Sequence, residues 1–136
     1  VKRALIVEDS DSLRKLLEEF VWSMGIVPVP SGCVADAVAQ VGPNVDMILL
    51  DLNLPNGHGF EVLRKVAEKR NDLPVIVLSA YVRDEQHEPP VPVLAWIEKP
   101  FGLTEVREAV ERACNFSASV ASIRRSTDRL ERMGQI

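Results

Sequence analysis

The chain has 136 residues, an apolar share of 46% and a formal net charge of −4, which suits one domain with its own core and a short appendage. No apolar run approaches the roughly 18 residues of a membrane span, and no basic, apolar, small-residue order of a secretion signal opens the sequence. The charge is uneven, with 12 basic and 18 acidic side chains before residue 115 and four arginines and two acids from there on; the acidic body argues against broad nucleic-acid binding. Cys33 and Cys114 stand in no metal-like spacing and read as reduced packing thiols of a cytosolic protein. His58 and His87 are isolated from them and from each other, which argues against a zinc site.

Residues 3–8 read as the first strand: Ala4-Leu5-Ile6-Val7 is continuously apolar and ends in the acidic pair Glu8-Asp9. Ser10 or Ser12 can cap a helix over about 11–24, on which Leu13, Leu16, Leu17, Phe20, Val21 and Met24 recur at helical spacing. Gly25 is placed to stop it. Residues 26–30 suit a short strand, but Pro28 and Pro30 have no N–H for a ladder, which assigns that strand to a sheet edge. Residues 33–41 read as a short helix closed by Gly42-Pro43. The run Val45-Asp46-Met47-Ile48-Leu49-Leu50-Asp51 predicts a central strand over 45–50 that delivers a carboxylate at its end. After the loop Leu54-Pro55-Asn56-Gly57-His58-Gly59, a helix is expected with Phe60, Leu63, Val66 and Ala67 inward. Pro74-Val75-Ile76-Val77-Leu78-Ser79 reads as a fourth, fully buried strand. Val93-Leu94-Ala95-Trp96-Ile97-Glu98, followed by Lys99-Pro100, reads as a fifth, and about 103–115 as a closing helix.

Five strands alternating with helices imply an α/β fold, a doubly wound parallel sheet covered on both faces. Right-handed crossovers leave few topologies. The flavodoxin-like order 2-1-3-4-5 is expected, because it puts the proline-bearing second strand at an edge. Glu8, Asp9, Asp51 and Lys99 then meet at the carboxyl edge, where open α/β sheets bind ligands. Carboxylates within roughly 5 Å repel by about 1 kcal/mol per pair in water and by several at protein-like dielectric. Such a cluster binds a cation or takes up protons, and oxygen donors with room for water suit magnesium.

Glu8-Asp9, Asp51, the turn from Pro55 to Gly59, Ser79-Ala80 and Lys99-Pro100 follow one another at predicted strand ends and loops. Through them, over about residues 2–115, the chain resembles the receiver domain of two-component response regulators. The resemblance implies that Asp51 accepts a phosphoryl group from a phosphohistidine on a histidine kinase or phosphotransfer protein. It implies Mg2+ or Mn2+ bound directly by Asp9, through water by Glu8, and by Asp51 and the Asn53 backbone carbonyl. Ser79 matches the switch hydroxyl, with the Ala80 N–H beside it. Lys99 matches the phosphate-pairing lysine, and Trp96 the switch aromatic. Asn53 and Tyr81 sit where the family tunes the lifetime of the acyl phosphate. The resemblance also implies a cytoplasmic regulator of an output domain or partner protein, catalysing only its own phosphorylation and dephosphorylation. No direct nucleic-acid binding by this domain and no membrane contact are expected, and homodimerisation stays open. Read without the resemblance, Trp96 equally suits a core position, Tyr81 a surface one and His58 an exposed loop.

Two stretches depart from the family. Residues 81–92 hold three prolines and no apolar stripe where a receiver has a helix, so at most one or two turns near 82–88 are expected. Val120, Ile123, Thr127 and Leu130 follow an approximate three-four spacing, so residues 116–136 are expected as a helical extension or linker behind a receiver domain over 1–115. Two other functions compete. A haloacid-dehalogenase-type phosphohydrolase also uses a strand-end aspartate, but it carries a second aspartate where this chain has Asn53. A phosphorylation-independent interaction module on the same scaffold is motivated by the irregular 81–92 segment.

Overall fold

Arg3–Val7 form β1, Asp11–Ser23 α1, Val27–Ser31 β2, Val34–Gln40 α2 and Met47–Asp51 β3. Two short strands follow, β4 at Asn53–Leu54 and β5 at Gly57–His58, then α3 at Gly59–Lys69, β6 at Val75–Ser79 and β7 at Ala95–Glu98. A further helix, α4, is described over residues 103–116. The computed structural model describes residues 1–54, 57–69, 72–80, 92–116 and 134. Tyr81, the segment 82–91 and most of the expected 116–136 extension lie outside the described residues.

The main sheet has the order β2-β1-β3-β6-β7, every pair parallel. Counting only these five strands, that is the expected 2-1-3-4-5. Alternate residues of each apolar strand serve opposite faces. Leu5, Val7, Ile48, Leu50, Val75 and Val77 pack with Val34 and Ala37 of α2 and Val62, Leu63 and Val66 of α3. Ala4, Ile6, Met47, Leu49, Ile76 and Leu78 pack with Leu17, Phe20 and Val21 of α1 and Val106, Val110 and Ala113 of α4. Burial on both faces is why the strands read as unbroken apolar runs.

β2 is the edge strand, and its prolines occupy the outward ladder positions. Val27 N–H donates to Lys2 O at 2.9 Å, and Ser31 O accepts from Glu8 N–H at 3.0 Å. Odd-numbered residues therefore face β1, while Pro28 and Pro30 face outward, where a missing N–H leaves nothing for another strand to pair with. α1 is capped by Ser10, whose hydroxyl accepts from Leu13 N–H. It ends in a Schellman motif: Ile26 N–H reaches Val21 O and Gly25 N–H reaches Trp22 O, both at 3.0 Å, with Gly25 at φ 80°. Lys69, ending α3, donates to the Val38 and Val41 carbonyls and so caps α2.

Three local expectations are corrected. Leu16 is 43% exposed, because the buried stripe of α1 runs through Leu17, Phe20 and Val21 and Leu16 lies one helical step off it. Ala67 is exposed for the same reason, with Val62 taking an inward place on α3. The expected loop over 54–59 contains an antiparallel pairing, Asn53 with His58 and Leu54 with Gly57. Both cysteines are free thiols, and burial pushes the Cys114 thiol up, toward an inert packing role. Among the described residues no helix is long and apolar enough to cross a membrane.

Candidate functional site

Parallel strands deliver their last residues to one edge. Val7 is in register with Leu50, so Glu8, one residue on, comes level with Asp51 at the end of β3. Ser79 ends β6 in register with Glu98 of β7. Lys99 follows, tied in by its N–H to Ser79 O at 2.7 Å. The Lys99–Pro100 peptide is cis.

Around that edge, one carboxylate oxygen from each of Glu8, Asp9 and Asp51 lies within 4.8 Å of the others. Glu8 and Asp51 are 2% and 4% exposed, whereas Asp9 is exposed. Lys99 Nζ stands 3.0 Å from Glu8 Oε2 and 3.3 Å from Asp51 Oδ2. The other oxygens are also engaged. Asp51 Oδ1 accepts from Asn53 N–H at 2.9 Å, and Glu8 Oε1 accepts from Ser10 N–H at 3.2 Å. Among the described residues one ammonium thus faces three carboxylates, two of them buried, so the cluster carries excess negative charge.

The titration of the site reports this imbalance. Glu8 is raised above 4.5, chiefly by burial; the Lys99 hydrogen bond opposes that and the Asp51 charge adds to it. Lys99 is raised above 10.5: burial alone would lower it, but the hydrogen bond and charge of Glu8, and then Asp51, outweigh burial. A carboxyl group that holds its proton better folded than unfolded contributes stability below its ordinary value, and loses it as pH rises through the raised one. Lys99 behaves alike but only in the alkaline range, above 10.5, so it stays out of this window. Without divalent metal, the melting temperature is expected to carry a component that falls as pH climbs from 4.5 toward neutrality. Glu8→Gln should lack it. Parallel thermal melts in chelator check this, and equal slopes for the two proteins would contradict it.

The other candidate residues are spread around the cluster. Ser79 is buried and Ala80 exposed. Trp96, half-buried on β7 and in register with Val77, packs against the core cluster on the α2 and α3 side. His58 is exposed, stacks on Phe60 with centroids 4.9 Å apart, and accepts Phe60 N–H at Nδ1, so it caps α3 and does not join the acids. Two residues escaped the sequence reading. Gly59 is buried with its N–H on Leu52 O at 2.9 Å, and a Cβ there would lie 2.7 Å from Leu52 Cα. Arg14 donates from Nη1 to the Glu8 carbonyl at 2.8 Å. A helical arginine facing inward next to an acid-bearing loop is a weak clue, and in the sequence the glycine is only one member of a turn.

Oxygen donors alone, three of them carboxylates, suit a hard divalent cation of the magnesium or manganese kind. The charge excess and the raised Glu8 proton affinity give an independent reason for one, since a cation would relieve both.

Comparison with known proteins gives one answer. The response regulator receiver domain family matches residues 4–111. Sporulation initiation phosphotransferase F of Bacillus subtilis is 30% identical over 116 residues, 82% of this chain and 92% of that protein. A protein-glutamate methylesterase/protein-glutamine glutaminase of Trichodesmium erythraeum is 39% identical over 83 residues, 57% of this chain and 23% of that protein. The chain spans half or less of the length of several further curated relatives. Among solved structures, the response regulator TrrA of Thermotoga maritima in complex with Mg(2+)-BeF superposes with a TM-score of 0.75 at 26% identity, covering 83% of this chain and 99% of that one.

Proposed function

The chain belongs to the response regulator receiver domain family of two-component signalling, and from that premise we propose that Asp51 is its phosphoacceptor. The observation that carries this is the Lys99 ammonium within 3.0 and 3.3 Å of Glu8 and Asp51, at the edge where three carboxylates converge. An Asp51 oxygen attacks phosphorus in line; the new O–P bond forms as the bond from phosphorus to the donor nitrogen of a phosphohistidine breaks. Glu8, Asp9, Asp51 and the Asn53 carbonyl would hold Mg2+ or Mn2+, which supplies charge neutralisation on the transferring phosphoryl oxygens. Lys99 adds its own positive charge beside the same oxygens. It loses a carboxylate partner when Asp51 becomes an acyl phosphate, and the phosphoryl group takes that partner's place.

The product adds about −1.5 to −2 charges and strong acceptor oxygens at the sheet edge. The Ser79 hydroxyl and the Ala80 N–H turn toward it, Trp96 fills the space released, and Asn53 and Tyr81 set how long the acyl phosphate lasts. The phosphoryl donor is a histidine kinase or phosphotransfer protein, and the receiver of the change is an output domain or partner protein. The receiver domain spans 1–115, residues 116–136 are a helical extension or linker, and the protein acts in the cytoplasm as a regulator without turnover of an external substrate. The Mg(2+)-BeF complex of the Thermotoga relative supports the metal and phosphoryl reading.

Incubation with acetyl phosphate and Mg2+, followed by intact mass measurement, tests the proposal. One phosphate adduct per chain is expected, and little turnover of a small phosphate ester. No adduct under conditions that label a standard receiver would favour a phosphorylation-independent interaction module. Many turnovers would favour a phosphohydrolase.

A further inference from the structure

We propose that Arg14 is a positioning residue for the metal-binding acids: it extends the β1–β2 ladder by one rung and so fixes the peptide from which Asp9 projects. The inference rests on the acid cluster being the cation site.

The ladder between β1 and β2 follows a strict alternation. Val27 N–H donates to Lys2 O at its start, and Glu8 N–H donates to Ser31 O at its end. In a parallel pair the next rung would run from the N–H of residue 33 to the Glu8 carbonyl. The chain has turned by then, since Cys33 is the N-cap of α2. The Glu8 carbonyl accepts instead from Arg14 Nη1 at 2.8 Å. The guanidinium reaches across from α1 and lies against Gly32, where a Cβ would stand 3.4 Å from Nη1. Its other arm pairs with Asp11. The Arg14 side chain is 19% exposed and Asp11 80%, so the Asp11 pair contributes little and the carbonyl contact is the sheltered one.

That carbonyl belongs to the peptide joining Glu8 to Asp9. Fixing its plane fixes the direction in which the Asp9 side chain leaves the backbone, and Asp9 is the exposed member of the cluster. Glu8 has separate anchors in Lys99 and in the Ser10 N–H. A rotated Glu8–Asp9 peptide would therefore move Asp9 most.

Charge and positioning predict opposite signs for the loss of Arg14. Removing a positive charge near three carboxylates should strengthen cation binding. Removing a support should weaken it, by about ten-fold or more, the lower end of what losing outer-shell partners costs. Calorimetric titration with Mg2+ alone separates the two, on wild type, Arg14→Met and Arg14→Lys, with thermal melts in chelator to establish that each is folded. We expect Arg14→Met to bind Mg2+ about ten-fold more weakly, and Arg14→Lys, which keeps a donor of similar reach, to recover part of the loss. Should Arg14→Met fail to fold, Arg14→Lys against wild type decides, and a weaker affinity is again expected. Wild-type affinity or tighter in Arg14→Met, or in Arg14→Lys when it stands alone, overturns the inference and leaves the metal site standing. Recovery in Arg14→Lys no better than in Arg14→Met also overturns it. Absence of Mg2+ binding in the wild type overturns the metal site and the inference with it.

Discussion

Asp51→Asn is expected to abolish the phosphate adduct, leaving labelling by acetyl phosphate and Mg2+ below detection by intact mass. Asparagine has nearly the shape of aspartate and keeps an oxygen for the Asn53 N–H, so the fold and the loop should persist. What it lacks is the nucleophilic, negatively charged oxygen 3.3 Å from Lys99. A second effect runs the other way. In the metal-free protein Asp51 is 4% exposed and repels the neighbouring Glu8 and Asp9, its charge being met by Lys99 and the Asn53 N–H. Asparagine removes both carboxylate repulsions and the cost of a buried charge, while Lys99 keeps its Glu8 partner. The substitution should therefore stabilise the protein in chelator, by about 1 kcal/mol, the size of one close carboxylate repulsion in water. Mg2+ should raise the wild-type melting temperature more than the variant's, because a ligand stabilises in proportion to how well the native state binds it. An adduct that survives Asp51→Asn would move the acceptor elsewhere. A variant less stable than wild type in chelator would contradict the charge imbalance.

Gly59→Ala is expected to destabilise the fold by about 1–3 kcal/mol, the usual range for forcing atoms into a packed place, and to weaken Mg2+ binding as well. The added Cβ would lie 2.7 Å from Leu52 Cα and 2.9 Å from Asp51 O. These are backbone atoms of Asp51 and its neighbour, and they cannot swing aside as a side-chain tip would. The clash is relieved only by moving α3 off the end of β3, or by shifting the Asp51–Asn53 backbone that orients the Asp51 carboxylate. Gly102→Ala is the control: nothing lies within 4 Å of its Cβ, and a change within about 0.5 kcal/mol is expected. Urea unfolding of the three proteins, with Mg2+ titrations on each, checks both halves. Equal stability of the two variants would show that the β3–α3 junction yields more easily than its geometry implies.

The architecture was legible because each strand carried its own label. Ile48-Leu49-Leu50 and Val75-Ile76-Val77 are apolar at every position, which only a strand buried on both faces requires, and Pro28 with Pro30 named the edge. The acids were legible for a related reason: Glu8, Asp9 and Asp51 directly follow or end such runs, where parallel strands must empty onto one side. Leu16 and Ala67 fall outside the buried stripes because helical spacing gives a stripe's width only loosely, and the sheet beneath decides where it stops. The β4–β5 pairing escaped because two-residue strands leave no periodicity to detect.

Chain order and hydrophobic pattern by themselves determined the five-stranded parallel sheet, its proline edge and the side on which the carboxylates gather, since these follow from which atoms can be taken out of water. Only the tertiary structure decided that Lys99 stands between Glu8 and Asp51, that Gly59 leaves no room for a methyl group beside the Asp51 backbone, and that Arg14 meets the Glu8 carbonyl. Those are distances between residues far apart in sequence or on different elements, and they are set by how helices seat on the sheet, which no local run of residues encodes.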